Sequence, residues 1–412
     1  MTTIEHGTEF DTDLNLHAEE FCRDPYSKLA ELQSRCPVAH SSAWGGFWLI
    51  TGYDEVFEAL QSPEIFSNAV LNEKGKGVPP APGGEPLIPI DFDAPDLIFY
   101  RSFLLKAFSP GVAKGLEPLI QEVADEIIDG FIENGSADVS QELFTALPAQ
   151  MILRILGFDY TRTAEWIVWV HGFVHDRASD PQGAFDKITA MYGAIHAEIA
   201  AARRDSPPGL MTELIAAERE GRTLTDGELA NVVFLLILGG MDTTAGLAGN
   251  SLLRIGTDRA LRQQILDDPA ILDKEGTEEF LRHGTPSMGL ARTVKRDVEF
   301  RGRSMKEGDA VLLMYSAANR DPEKFDDPEA IDLTRQNNRH MAFALGQHRC
   351  LGSNLARSMF RIMITSVLMR MPDFEVDVKQ VVRYPDGGDV YAVKHFPITF
   401  TAGDRKGSVH SA

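Results

Sequence analysis

The chain predicts a mostly α-helical fold with a minor β region, and three observations carry that reading. Residues 225–253 hold one unbroken helical pattern, residues 118–133 show a continuous apolar face at helical spacing, and strand-like alternation is confined to a few short stretches. From the N-terminus, Asp24-Pro25-Tyr26 to Ser34 reads as a short amphipathic helix, Gly46 to Thr51 alternates like a strand, and Asp54 to Gln61 returns to helix. Residues 71–92 are rich in Gly and Pro and read as a long loop, a feature that in compact domains is usually functional or disordered. Helices then dominate, at roughly 97–107, at 118–133 (Leu119, Ile120, Val123, Ile127, Ile128 and Phe131 on one face), and on to about 220. Thr225-Asp226-Gly227-Glu228 has the form of a capping box, and the segment it opens runs to Leu253, about 40 Å at 1.5 Å per residue. Strands are expected at Val298–Phe300, at Ala310–Met314 and near 389–401, with Gly302 and Gly308 marking turns. The last helix spans Leu351 to Met371, with Leu355, Met359, Ile362 and Ser366 on one stripe and Pro372 as its stop.

Bulk properties exclude several classes of function. No linker or charge run divides the 412 residues, so one domain over 1–412 is expected, with a flexible polar segment at about 1–20 and a flexible tail at about 403–412. A net charge of −21 repels phosphate backbones and argues against nucleic acid. Met1 to Asn15 lacks the cationic and apolar parts of a signal peptide, and the longest apolar run, Val232 to Leu238, is far short of the roughly 20 residues that cross a bilayer. Neither membrane insertion nor export is expected. Three cysteines, Cys22, Cys36 and Cys350, form no CxxC cluster, which suits a reducing cytoplasm. Cys22 and Cys36 read as structural thiols.

Cys350 is different. It sits in Phe343-Ala344-Leu345-Gly346-Gln347-His348-Arg349-Cys350-Leu351-Gly352, just ahead of the last helix. A helix N-terminus favours thiolate over thiol, and thiolate is the form that ligates a metal. Gly346 and Gly352 let the backbone pass close to a flat cofactor, Phe343 is placed to lie against its ring, and His348 and Arg349 to reach an anionic substituent. Taken as a whole, the FxxGxxxCxG spacing resembles the haem-thiolate loop of the cytochrome P450 family. That resemblance implies the P450 fold, with haem b held between a long central helix and the helix after the cysteine, and Cys350 as the axial iron ligand.

The middle of the 225–253 segment reads Gly239-Gly240-Met241-Asp242-Thr243-Thr244. Two glycines inside a helix cost about 1 kcal/mol each relative to alanine, and Asp and Thr are weak helix formers. Such a local conflict marks either close packing of a neighbour or function. Beside the cysteine loop, the segment resembles the oxygen-activation motif of the family, where a widened helix turn around Gly239 makes room for O2. The resemblance implies that Thr243 hydrogen-bonds the oxygen species and a water, and that Asp242 relays protons from solvent.

Glu279 and Arg282 stand at i, i+3 on one helical face, a spacing common by chance. In the family E-x-x-R is matched by a later arginine, and Arg335 fills that place, implying a buried network that locks the cysteine loop. Arg101 and Arg292 fall where family members hold the haem propionates, and bidentate arginine suits a carboxylate. Two departures stand out. Leu97 occupies a position often held by histidine, and Ala344 replaces a frequent glycine, a change expected to be tolerated.

Substrate is expected on the face opposite Cys350, lined by the 71–92 loop and by apolar residues among Trp166, Trp169, Phe173, Leu235, Leu238, Met288 and Leu290, which suits a terpenoid or an aromatic or alkyl compound. Without a fused flavin or iron–sulfur segment, electrons are expected from a separate ferredoxin with its reductase. A basic patch for that acidic partner is expected from Lys106, Lys114, Arg349, Arg357 and Arg361. The reading is a monomeric, cytoplasmic haem-thiolate monooxygenase. A peroxide-driven peroxygenase is the alternative, disfavoured by the Asp242–Thr243 pair; a non-catalytic helical binding protein would require every motif to match by accident.

Overall fold

The structure is a computed structural model that describes residues 10–69, 78 and 86–407. Its β portion centres on a five-stranded sheet of β1 (Val38–Ser41), β2 (Phe47–Ile50), β3 (Phe66–Ser67), β4 (Leu290–Val294) and β5 (Ala310–Leu313), in the order β1-β2-β5-β4-β3. β2 and β5 run parallel and the other neighbours antiparallel, with Val311 opposite Trp48 on one side and Arg292 on the other. This register joins chain segments more than two hundred residues apart and fixes where Arg292 stands. The remaining strands form small sheets, including one of Ser136–Asp138, Glu375–Val376 and Pro397–Thr399.

The helical body surrounds five helices that position the site: α1 (Thr163–His171), α2 (Asp226–Gly240), α3 (Asp242–Thr257), α4 (Glu275–His283) and α5 (Ser353–Arg370). The capping box forms as expected: Thr225 Oγ1 accepts the Glu228 N–H, and the Thr225 N–H donates to Glu228 Oε2 at 2.9 Å. Glu228 also accepts the Tyr100 hydroxyl at 2.7 Å, tying the start of α2 to helix Asp96–Ser102. Taken together, α2 and α3 are long and apolar enough to cross a membrane by composition, but most of that stretch is buried among neighbouring helices. Its apolarity is that of a core helix.

Several expected boundaries shift for identifiable reasons. The helix expected at 97–107 ends at Ser102, because Phe103, Leu104 and Phe108 turn into the core ahead of Pro110. Residues 10–20 are not a free segment: Leu16 is buried, Thr12 bridges Ser41, and the Trp44 indole donates to Asn15 Oδ1. At the other end, the Lys406 and Gly407 N–H groups donate to Asp129, holding 403–407 against the body. Residues 71–77 and 79–85 of the expected loop lie outside the described residues; 88–91 form a turn with Ile88 buried. The largest correction is at Met241, where a kink separates α2 from α3 and breaks the single helix that the pattern suggests.

Candidate functional site

The loop before α5 is built by its own backbone. The Cys350 N–H donates to the Phe343 carbonyl at 2.8 Å, closing the loop over a short turn at Gly346–His348. Gly346 has φ +68°, and an added Cβ would lie 3.2 Å from the Leu60 carbonyl oxygen, so the backbone itself requires glycine there. That differs from the expected reason, room for a cofactor. Ala344 takes φ +52°, a left-handed conformation costing a non-glycine residue about 1 kcal/mol or more, so the replacement of glycine is accommodated with strain.

The expectation that the helix terminus would set the sulfur's charge is also corrected. Cys350 is exposed, but protein crowds the sulfur closely enough that desolvation pushes its thiol above the ordinary value. The Gly352 N–H and the charges of Arg101, Arg357 and Arg349 pull the other way without overcoming it. A metal on the sulfur would deprotonate it outright.

Two arginines give the site its anion preference. Arg292 is 4% exposed, and its guanidinium donates to the Ala291 carbonyl at 2.8 Å and to the Tyr315 hydroxyl at 3.4 Å. Among the described residues no carboxylate lies within ion-pair distance of it. Half-buried Arg101 reaches the Arg349 carbonyl at 3.0 Å, close enough to Cys350 for its charge to act on the sulfur. A buried cation without a counter-ion is costly, so this pair calls for a ligand with carboxylates. Open space is available as well: a Cβ added at Gly239 or at Gly352 would meet nothing within 4 Å. One thiol, two unneutralised arginines and two open glycines fit a flat, iron-bearing group with two carboxylate arms. His348 stands in the same turn, half-buried. Leu97 is fully buried in the core and offers no polar group.

The α2–α3 junction uses side chains where the helix is interrupted. The Thr243 hydroxyl donates to the Gly239 carbonyl at 2.8 Å, and Thr243 is half-buried while Gly239 is exposed. Asp242 points away from Thr243's partner into protein, where it is 4% exposed. Its two carboxylate oxygens each lie 3.3 Å from an imidazole Nε2, Oδ1 from His171 and Oδ2 from His175. Burial opposes its charge, but the His171 and His175 imidazoles outweigh it and hold the carboxyl well below the usual carboxylate range. Neither histidine was singled out from the sequence. The available signal was His171-Gly172-Phe173-Val174-His175, two histidines four apart in a helical stretch.

Glu279, Arg282 and Arg335 come together as a buried network, and Glu279 and Arg282 are both fully buried. Every Arg282 N–H is used. Nε and Nη2 donate to Glu279 at 2.9 and 2.7 Å, Nη1 to the Asn319 and Pro328 carbonyls at 3.0 and 2.8 Å, and Nη2 also to Ala330 at 2.8 Å. Glu279 further accepts Arg335 Nε at 3.1 Å, the Asp332 N–H at 3.0 Å and Asn338 Nδ2 at 2.9 Å. The segment 326–338 is thereby fastened to α4. Neighbouring Glu278 pairs with Arg357 of α5 and with His340, which together hold its carboxyl down at about 2 against the opposing effect of burial.

Beside this network, buried His283 has its imidazole pushed from 6.5 down to about 2 by desolvation and then by the charges of Arg320, Arg282 and Arg254. Below pH 6.5 the unfolded chain binds a proton that the native state refuses, so this residue lowers stability as pH falls. Between pH 6.5 and 4.5 the loss should reach about 2 to 3 kcal/mol, at roughly 1.4 kcal/mol per unit. Urea midpoints across that range should fall in the parent and flatten in His283→Gln, which retains a donor for the Glu329 carbonyl; equal slopes would refute the assignment.

Other expected residues are placed differently. Met288 is fully buried against Phe47, Leu49 and Met314, and Trp166 is fully buried against Phe158 and Trp169, so both are core residues. Leu235, Leu238 and Leu290 are half-buried, the first two in the turn of α2 before Gly239 and Leu290 at the start of β4, packed against the sheet. Of the expected basic patch, Arg357 is paired with Glu278, and Arg361 with Glu117 and Asp273. Exposed Lys106, Lys114 and Arg349 have no ion pair among the described residues.

The mostly helical fold, with a cysteine on the loop ahead of its last long helix, is that of a class of helical oxidoreductases. The family model for cytochrome P450 matches residues 275–388. The chain is 30% identical over 375 residues to Cytochrome P450 107B1 of Saccharopolyspora erythraea, covering 88% of this chain and 92% of that one. It is 31% identical over 370 residues to the methyl-branched lipid omega-hydroxylase of Mycobacterium bovis, covering 87% and 85%. Among solved structures it matches CYP109E1 from Bacillus megaterium in complex with testosterone, with a TM-score of 0.85, 27% identity, and coverage of 93% and 99%. The chain belongs to the cytochrome P450 family, and it is a monooxygenase of that family.

Proposed function

We propose that the chain holds haem b through Cys350, with Arg101, Arg292 and His348 on the propionates and Phe343 against the ring, and oxygenates a small hydrophobic substrate using O2 and electrons from a separate ferredoxin. The observation that carries this reading is a buried Arg292 with no carboxylate partner among the described residues, together with a half-buried Arg101 bonded to the Arg349 carbonyl next to Cys350. The haem, when bound, supplies O2 binding and oxidising power, and its thiolate ligand favours O–O cleavage. The chain's own residues supply position and protons. Thr243 has its hydroxyl beside Gly239, where it can orient a water, and Asp242 next to it is a buried carboxylate lying against the His171 and His175 imidazoles, through which protons can be relayed. The Glu279–Arg282–Arg335 network keeps the cysteine loop in register with α4 and retains the cofactor.

An apolar approach past Leu235, Leu238 and Leu290 supports a terpenoid, alkyl or aromatic substrate, and the lipid and steroid ligands named for two relatives point to the same polarity. A cytoplasmic monomer fits this reading. For the electron donor, exposed Lys106, Lys114 and Arg349, which have no ion pair among the described residues, support an acidic ferredoxin. Lys106→Glu with Lys114→Glu should slow reduction by ferredoxin severalfold at low salt, with a smaller effect at high salt, while leaving the haem spectrum unchanged. Stopped-flow reduction kinetics that do not change would remove this surface from the account. The whole reading is tested by reconstitution: product formed with ferredoxin, reductase, NADH and O2 supports the monooxygenase, and product formed only with hydrogen peroxide favours the peroxygenase.

A further inference from the structure

His171, His175 and Asp242 converge from two elements, the end of α1 with its continuation and the start of α3, and their ligand atoms all lie within 4.8 Å of one another. The contacts are poor hydrogen bonds. Asp242 Oδ2 and both ring nitrogens of His175 lack a hydrogen-bond partner among the described residues, although His175 is 2% exposed and Asp242 4%. Buried polar atoms in that state ask for a water or an ion. Each imidazole Nε2 lies 3.3 Å from a different oxygen of the Asp242 carboxylate, close to the separation of about 3.3–3.4 Å between two ligand atoms on a tetrahedral ion with bonds of about 2.0–2.1 Å.

We propose that His171 Nε2, His175 Nε2 and the Asp242 carboxylate form a binding site for a divalent zinc-type cation. The donor set is right for it, two imidazoles and a carboxylate being a common three-ligand arrangement that leaves a fourth position for water. His175 is held for the role by stacking, its ring lying 3.5 Å from that of Tyr384 at an interplanar angle of 3°. Tyr384 also places its hydroxyl 3.4 Å from His171 Nε2. Half-buried His171 provides the way in. Occupancy would immobilise the carboxylate assigned to proton delivery, making the cation an inhibitor of turnover. That consequence rests on the monooxygenase reading; the binding itself does not.

The test is calorimetric titration of tag-free holoprotein with Zn2+ alone. One equivalent should bind, and His171→Ala and His175→Gln should each lower the affinity at least about tenfold, while exposed His196→Ala should not. An unchanged haem spectrum in each variant establishes that the fold is intact. Absence of stoichiometric binding, or binding that survives both substitutions, overturns the site. Binding that follows this pattern without slowing turnover would keep the site and reject the assigned role of Asp242.

Discussion

Replacing Arg282 with methionine should destabilise the protein by about 3–5 kcal/mol, the usual cost of removing one partner from a buried ion pair. The size follows from the bonding. Arg282 satisfies five acceptors with its five N–H groups, so methionine would strand the Asn319, Pro328 and Ala330 carbonyls and leave the fully buried Glu279 with less neutralisation than it needs. Arg335 remains, at 3.1 Å and partly exposed, and compensates only in part. Urea denaturation with haem absorbance followed in parallel should show the midpoint falling and haem lost early. A change below about 1 kcal/mol would mean that the network contributes as little as a surface pair. Lysine at this position should behave almost as badly, since an ammonium cannot reproduce the planar fork.

Asp242→Asn should lower the rate of product formation by about a hundredfold, the low end of what a positioned acid–base group contributes, without altering the ferrous–CO spectrum. The substitution keeps the shape and removes the charge that faces His171 and His175. Thr243→Ala is expected to act differently, sustaining NADH consumption while diverting it to hydrogen peroxide, since the proposed roles are for its hydroxyl, bonded to the Gly239 carbonyl, to orient a water and for the carboxylate to relay protons. Product and peroxide measured per NADH separate the two. Asp242→Asn at parental rate would take the carboxylate out of the chemistry.

Much of this architecture is legible in the sequence because it is local. The capping box at Thr225 and Glu228, the strand at 47–50 and the last helix are dictated by spacing within a few residues, and all appear. The break at Met241 was visible only as a conflict, two glycines and an Asp-Thr pair inside a helical pattern, because propensity gives the cost of a kink but not its geometry. Glu279 and Arg282 are local too, whereas the carbonyls of residues 319–330 that complete Arg282 come from a loop whose path no periodicity describes. Long-range pairing was the least legible. Arg357 and Arg361 look like free surface charge in sequence and are consumed by Glu278, Glu117 and Asp273 from distant segments. Met288, one residue from an exposed-looking turn, is sealed by strands that the sheet brings from both ends of the chain. His171 and His175 belong to the same class: their significance lies in Asp242, about seventy residues later.

The central claim is that Cys350 presents its sulfur to a haem iron. The most direct measurement is the difference spectrum of the purified protein reduced with dithionite and exposed to carbon monoxide, recorded beside Cys350→Ser. The account predicts a Soret band shifted far to the red, the signature of thiolate opposite carbon monoxide, in the parent and its disappearance in the variant. A band at the position of imidazole-ligated haem, or a parent protein that stays colourless after haem supplementation, would contradict it.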